Sequence, residues 1–230
     1  MGPATPRVRL VGSFAELRET PLAGDVNALC WERTLPGDYA EVIAALGAGD
    51  GIVAIADERL QALTLSPAGQ LAAEALLADQ ALLRAHDLAP SLNCIYDCVR
   101  GPDAGIVPTD VLSFHVDTAP IEVDTWLCTY HGACSEGLAN EAAVRKVDQP
   151  EIRAALLREY GGADDAGFAE FLSEHSYDLH YAPKPDARPY PFGQFSLWRI
   201  ATQWPDSPVL PCIHRAPENP AGSPRLLLIS

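Results

Sequence analysis

The chain has 230 residues, 48% of them hydrophobic, enough apolar side chain for a full-sized core, which excludes a disordered polymer. Its 16 Lys and Arg stand against 31 Asp and Glu, and a formal net charge of −15 repels phosphate backbones and anionic headgroups, so neither nucleic acid nor a membrane is an expected partner. No apolar run approaches the ~20 residues of a membrane span, and the opening MGPATPRVRLVGSF lacks the basic start and apolar block of a secretion signal, so the expected location is cytoplasmic.

Gly2 follows Met1, but Pro6 stands where a myristoylation motif needs Ser or Thr. Residues 7–11 and 28–35 read as short strands, and Asp38 with Glu41 three residues on reads as a capping box opening a helix at about Tyr39. Ser66-Pro67 places a natural N-cap before a residue suited to the first helical turn, and Leu71, Ala75, Leu82 and Leu83 continue at helical spacing to about His86. From Ser91 the period changes to two, with Leu92, Cys94, Tyr96 and Cys98 on one face and Asn93 and Asp97 on the other. Further strands are expected at 111–116, 121–130, 195–202, 209–214 and 225–229, each bounded by Pro, Gly or Asp. Two short helices interrupt them between Asn140 and Pro191, the first capped by Asp148 ahead of Pro150 and Glu151, the second over about 164–175. The expected organisation is one domain over 1–230: a helical N-terminal layer (1–90) on a β-sandwich or open barrel (91–230) with an insertion at 140–190.

The six cysteines, in a chain without an export signal, read as reduced thiols, and their spacing contains no paired C-x-x-C zinc signature. Cys128 and Cys212 flank the residues of chemical interest but default to small buried hydrophobes.

Those residues are FHVD at 114–117 and IHRAP at 213–217. His115 and Asp117 are two apart, so on a strand both side chains share one face, and His214 from a facing strand would complete two imidazoles and a carboxylate. Such a triad suits iron(II), occupying one face of an octahedron and leaving three positions open. The plainer alternative is a buried histidine bonded to a nearby aspartate with no metal. Arg225 follows His214 by eleven residues, and Asn219, Pro220 and Gly222 between them favour a turn that returns a strand beside the site. Its planar fork of donors matches a carboxylate such as the distal one of 2-oxoglutarate. Arg215, adjacent to His214, is expected to face the other way.

At these residues the chain resembles the Fe(II)/2-oxoglutarate-dependent dioxygenases, whose pattern is H-x-D, a long gap, a second His and then Arg or Lys. The resemblance implies a double-stranded β-helix, a jelly roll of the cupin-like class, and oxidation of a small molecule such as an amino acid coupled to decarboxylation of 2-oxoglutarate. It further implies His115, Asp117 and His214 as iron ligands, Arg225 as the cosubstrate anchor, and the 140–190 insertion as a substrate lid. Leu227 stands where many members carry Ser. Over nearly its whole length the chain also resembles an uncharacterised bacterial domain family, through NALCWERTL at 27–35, FHVD, WLCTYHGACSEGL at 126–138, IHRAP and the closing RLLLIS.

Tyr177, His180, Tyr181, Lys184, Arg188 and Tyr190 concentrate between His175 and Phe192, with Tyr181 and Arg188 the candidates for recognising an anionic or aromatic substrate. A proline-braced solvated loop is the plainer reading. His86, His131, His175 and His180 are not assigned as ligands. Two alternatives to the oxygenase stand: a cupin-type metalloenzyme without 2-oxoglutarate, and a non-catalytic zinc-binding protein closing its metal with Cys128, Cys212 or His131, as four-ligand structural zinc requires. Neither a phosphate-binding glycine loop nor a G-x-S-x-G elbow is present.

Overall fold

The computed structural model describes residues 7–101 and 105–230; Gly2 and Pro6 lie outside the described residues. The N-terminal part alternates β1 (Val8–Val11), α1 (Phe14–Glu19), β2 (Ala28–Trp31), α2 (Tyr39–Leu46), β3 (Ile52–Ala54), α3 (Asp57–Gln61) and α4 (Pro67–Arg84). Strand β4 (Ser91–Ile95) precedes the FHVD segment, followed by β5 (Asp124–His131), β6 (Glu136–Leu138) and β7 (Ala143–Arg145). Helices α5 (Pro150–Tyr160) and α6 (Ala166–Glu174) then lead to β8 (Tyr181–Pro183), β9 (Tyr190–Pro191), β10 (Leu197–Ala201), β11 (Ile213–Arg215) and β12 (Arg225–Ile229).

The architecture is mixed α/β. A seven-stranded sheet has the order β1-β2-β10-β5-β12-β4-β3, antiparallel except for the β1–β2 edge pair, and it does not close into a barrel. A three-stranded sheet, β11-β6-β9, and a β7-β8 pair form a second layer. His115 links them, its main chain pairing with His214 on one side and His180 on the other.

Alternation along the strands decides what each face meets. Trp126, Cys128 and Tyr130 of β5, with Leu226 and Leu228 of β12, pack against helical residues including Leu17, Leu46, Leu60, Leu76 and Leu83. On the opposite face, Leu127, Trp198, Ile200 and Cys30 meet Phe192 and Cys212 from the second layer. Each large apolar side chain so buried contributes about 1.5–3 kcal/mol. Half-exposed ion pairs such as Arg145–Asp148 contribute about 0–1 kcal/mol, so burial rather than charge joins the layers. Helices α5 and α6 build a satellite core around Leu156, Phe168 and Leu172.

Several elements are shorter than the sequence pattern predicts. Residues 111–116 form no continuous strand because the Asp110 carboxylate accepts the Leu112 and Ser113 N–H groups (3.0 and 2.9 Å) and turns the chain there. Strand β11 begins at Ile213 rather than 209, since Pro208 and Pro211 have no N–H to give to a ladder. Phe195 is left-handed (φ 66°), which delays β10 to Leu197. The Asp38 carboxylate caps α2 as expected, accepting from Glu41 N (3.0 Å). The Glu41 carboxylate does not return to Asp38; it accepts from Ser66 N and Oγ (2.7 and 2.6 Å), tying the start of α4 to α2. Helix α5 is preceded by Gln149 rather than capped by Asp148, which instead pairs with Arg145.

Candidate metal centre

The main-chain pairing of His115 with His214 (N···O 2.9 Å in both directions) sets their rings side by side, with centroids 4.5 Å apart. Asp117, two residues on, presents its carboxylate to both: Oδ1 lies 3.7 Å from His115 Nε2, and Oδ2 lies 3.7 Å from His214 Nε2. These three residues are the one His/Cys/Asp/Glu group of metal-binding geometry among the described residues, with ligand atoms all within 4.8 Å of one another. Adjacent ligands at ~2.1 Å from a metal and at right angles would stand about 3 Å apart, so a small contraction of the cluster would close it around an ion.

The imidazoles are oriented for that role. His115 Nδ1 is 2.8 Å from the Ser113 carbonyl and His214 Nδ1 is 3.2 Å from the Cys212 carbonyl. A carbonyl can only accept, so each Nδ1 donates its N–H there, which turns each Nε2 toward the carboxylate as the nitrogen available to a metal. Burial, reinforced by the neighbouring His214, lowers the His115 pKa to about 4, which keeps the ring neutral at physiological pH. Asp117 is held at its main chain by Gln203 N (2.7 Å) and at its carboxylate by the Thr125 hydroxyl (2.6 Å). The donor set therefore fits a divalent transition metal such as iron(II).

Arg225 opens β12 and shares a strand face with Leu227, which packs against the core between the layers, whereas Leu226 and Leu228 point to the helices. Its side chain is 1% exposed, yet among the described residues no carboxylate forms an ion pair with it. Nε donates to the Ala133 carbonyl (2.6 Å), and Nη2 reaches Ser135 Oγ at 3.5 Å. Burial lowers its pKa. The Gly132–Ser135 turn thus cradles the guanidinium, and Gly132 (φ +82°) leaves the room, since a Cβ there would lie 2.8 Å from Arg225 Cγ.

A cleft of about 670 Å³ opens on Asp117, Thr125, Trp126 and Thr202, with Arg18 and Glu122 on its rim. None of its lining comes from 140–190. Tyr181 lies in β8, packed against the second-layer core with its N–H bonded to the Phe114 carbonyl (2.8 Å), and Arg188 is exposed beyond that strand, so neither reaches this cleft. His180, set aside in the sequence, is buried and stacked on His115 (5.9 Å) with Nδ1 on the Ser176 carbonyl (2.8 Å). Cys128 faces the helices beside Arg33, and burial pushes its thiol up to about 12. Cys212 is buried on the second layer near the Tyr190 hydroxyl (3.9 Å), its thiol likewise pushed up to about 12 by burial. Arg215 turns away from the triad, as its position predicts, and pairs with Glu136. Thr125 and Ser113 carried no sequence signal: a hydroxyl donor and a main-chain acceptor become visible only once the strands are placed.

Fold and centre together define a mixed α/β protein of two sheet layers with a His-Asp-His cluster able to hold a metal. Its sequence matches the family described as Protein of unknown function (DUF1826) over residues 14–229, and the chain belongs to that family. No curated protein and no solved structure matches it.

Proposed function

We propose that the protein is an iron(II)- and 2-oxoglutarate-dependent oxygenase of a small molecule, such as an amino acid or a related metabolite. The observation that carries this reading is a carboxylate facing the Nε2 atoms of two histidines of the second layer, combined with a buried guanidinium on the inner face of the large sheet that has no carboxylate partner among the described residues. The strand order supports the finer fold reading. From β4 in the large sheet the chain crosses to 114–116 in the second layer, returns to β5, crosses to β6 and β9, returns to β10, crosses to β11 and returns to β12. Eight segments wound between two layers in this way are what a jelly roll requires.

In this reading His115, Asp117 and His214 would hold iron(II), and three protein ligands would leave it positions free for a keto acid and oxygen. Bound iron would supply oxygen activation and oxidation of a substrate C–H bond. Arg225 receives the distal carboxylate of 2-oxoglutarate through paired N–H donors, which gives its buried charge a counterion. The cleft is within the size range of small-molecule sites, and although neither histidine lines it, it would bring a substrate to the Asp117 side of the centre. Trp126 and Thr202 form its walls. A closed zinc site gains no support, because neither Cys128 nor Cys212 belongs to the cluster.

The test is anaerobic titration of metal-free protein with iron(II) and then 2-oxoglutarate, followed by visible absorption. The expected result is the charge-transfer band of a chelated keto acid, absent in His115→Ala and needing more cosubstrate in Arg225→Ala. Tight metal binding without the band would sink the 2-oxoglutarate assignment and favour a cupin-type enzyme that works without it.

A further inference from the structure

We infer that Thr125 is a positioning residue that presents Asp117 to the metal through a single oxygen, an inference that rests on the metal reading above. Thr125 is the second residue of β5, held between β10 and β12, and pairs across the ladder with Ile200. It shares its strand face with Leu127, which puts its hydroxyl on the inner side, where Oγ1 lies 2.6 Å from Asp117 Oδ2. An ionised carboxylate can only accept, so the hydroxyl proton is committed to Oδ2, and at this length the bond is of the strong, charge-assisted kind.

The main chain of Asp117 is fixed independently. Gln203 N donates to its carbonyl (2.7 Å), and the Gln203 carbonyl accepts from Thr118 Oγ1 (3.0 Å) and Ala119 N (2.9 Å). What remains free is rotation of the carboxylate about its own bonds, and the Thr125 hydroxyl removes it. Each oxygen lies 3.7 Å from one imidazole Nε2, Oδ1 from His115 and Oδ2 from His214, so what distinguishes them is the Thr125 bond: Oδ2 is engaged by it, and Oδ1 accepts no hydrogen bond among the described residues. Binding through both oxygens would consume one of the three positions that a facial triad leaves open, and a chelating ligand needs two of them. Thr125 therefore governs how many exchangeable positions the centre has, without touching the metal.

The test compares wild type, Thr125→Val and Thr125→Ser as metal-free proteins titrated with iron(II) or cobalt(II) by anaerobic calorimetry, with thermal melts of each metal-free form. Valine keeps the shape and removes the donor; serine keeps the donor. The expected result is metal binding weakened about 10- to 100-fold in Thr125→Val, affinity near wild type in Thr125→Ser, and closely similar melts for all three. Wild-type metal binding with Thr125→Val binding equally well would overturn this inference while leaving the metal centre standing. Equal losses in both variants, tracking a fall in their melts, would also overturn it, assigning Thr125 a packing role. If wild type binds metal no better than His115→Ala, the metal reading itself falls, and this inference with it.

Discussion

His115 shows how far a single residue can be read from a pattern. The H-x-D spacing places His115 and Asp117 on one face because successive strand side chains alternate, and that much is legible without a structure. The choice of ring nitrogen is not legible, since it depends on the Ser113 carbonyl accepting from Nδ1. Nor is the charge state, which is set by burial and by His214. The depressed pKa has a consequence for stability. The unfolded chain takes up a proton near the ordinary histidine value of ~6.5, whereas the folded ring resists until about 4. The stability associated with a neutral His115 is thus full above about pH 6.5 and is lost as the pH falls toward 4. Urea melts of metal-free protein between pH 7 and 4 should show this decline, and His115→Gln should flatten it. An unchanged slope in that variant would mean that other groups dominate the acid response.

Among the elements, legibility followed length and capping. Helix α4 is evident from Ser66-Pro67 and its apolar spacing, whereas α1 and α3 have only six and five residues, too few to establish a period. Strands β6 to β9 have two or three residues each and gave no signal of their own. The positions of β5 and β10 were readable from their β-branched and aromatic residues, but their ends were not, being set by Phe195 and by long-range pairing, whereas the apolar run of β12 after Pro224 fixed both of its ends. The Ser66 cap illustrates a local signal with a tertiary role. Its Oγ accepts from Gly69 N (3.3 Å) and donates to the Glu41 carboxylate (2.6 Å). Ser66→Ala should cost about 1 kcal/mol of stability, seen as a lower urea midpoint, while metal affinity stays unchanged because α4 lies on the far face of the large sheet from the triad. A matching fall in metal affinity would show that the helical layer holds the centre together.

At the scale of the molecule, the two faces of the large sheet divide the work. One faces the second layer that brings the two histidines and touches the centre through Thr125, and the other is pinned to the helices by a buried network. Arg33 makes paired bonds to Asp79 of α4 (2.7 and 2.8 Å), Tyr130 of β5 donates to the same carboxylate (2.5 Å), and Arg33 Nε reaches the Phe195 carbonyl (2.9 Å). Removing one partner of a buried pair strands the other, so Asp79→Ala should cost about 3–5 kcal/mol, while Arg33→Met with Asp79→Leu should cost far less. Equal losses in denaturant melts would refute that account. The general two-layer arrangement was accessible from strand and helix periods, and β1, β2 and β4 were legible as strands, but β3 and the addition of these strands to the flanks of one large sheet were not, because a three-residue edge strand carries no period and pairing is long-range. The strand order has one more consequence, for how the chain is made. Strand β12 stands between β4 and β5 in the middle of the large sheet, although it is the last of the seven strands in the sequence. During synthesis β4 and β5 must wait with unpaired inner edges, and Arg225 arrives only with the strand that fills the gap. Until β10 emerges β5 is also apart from β1–β2, and until β12 emerges the β3–β4 pair cannot join the other strands. Exposed strand edges in that interval favour aggregation, so mutations near β12 would harm yield more than their effect on the finished fold suggests.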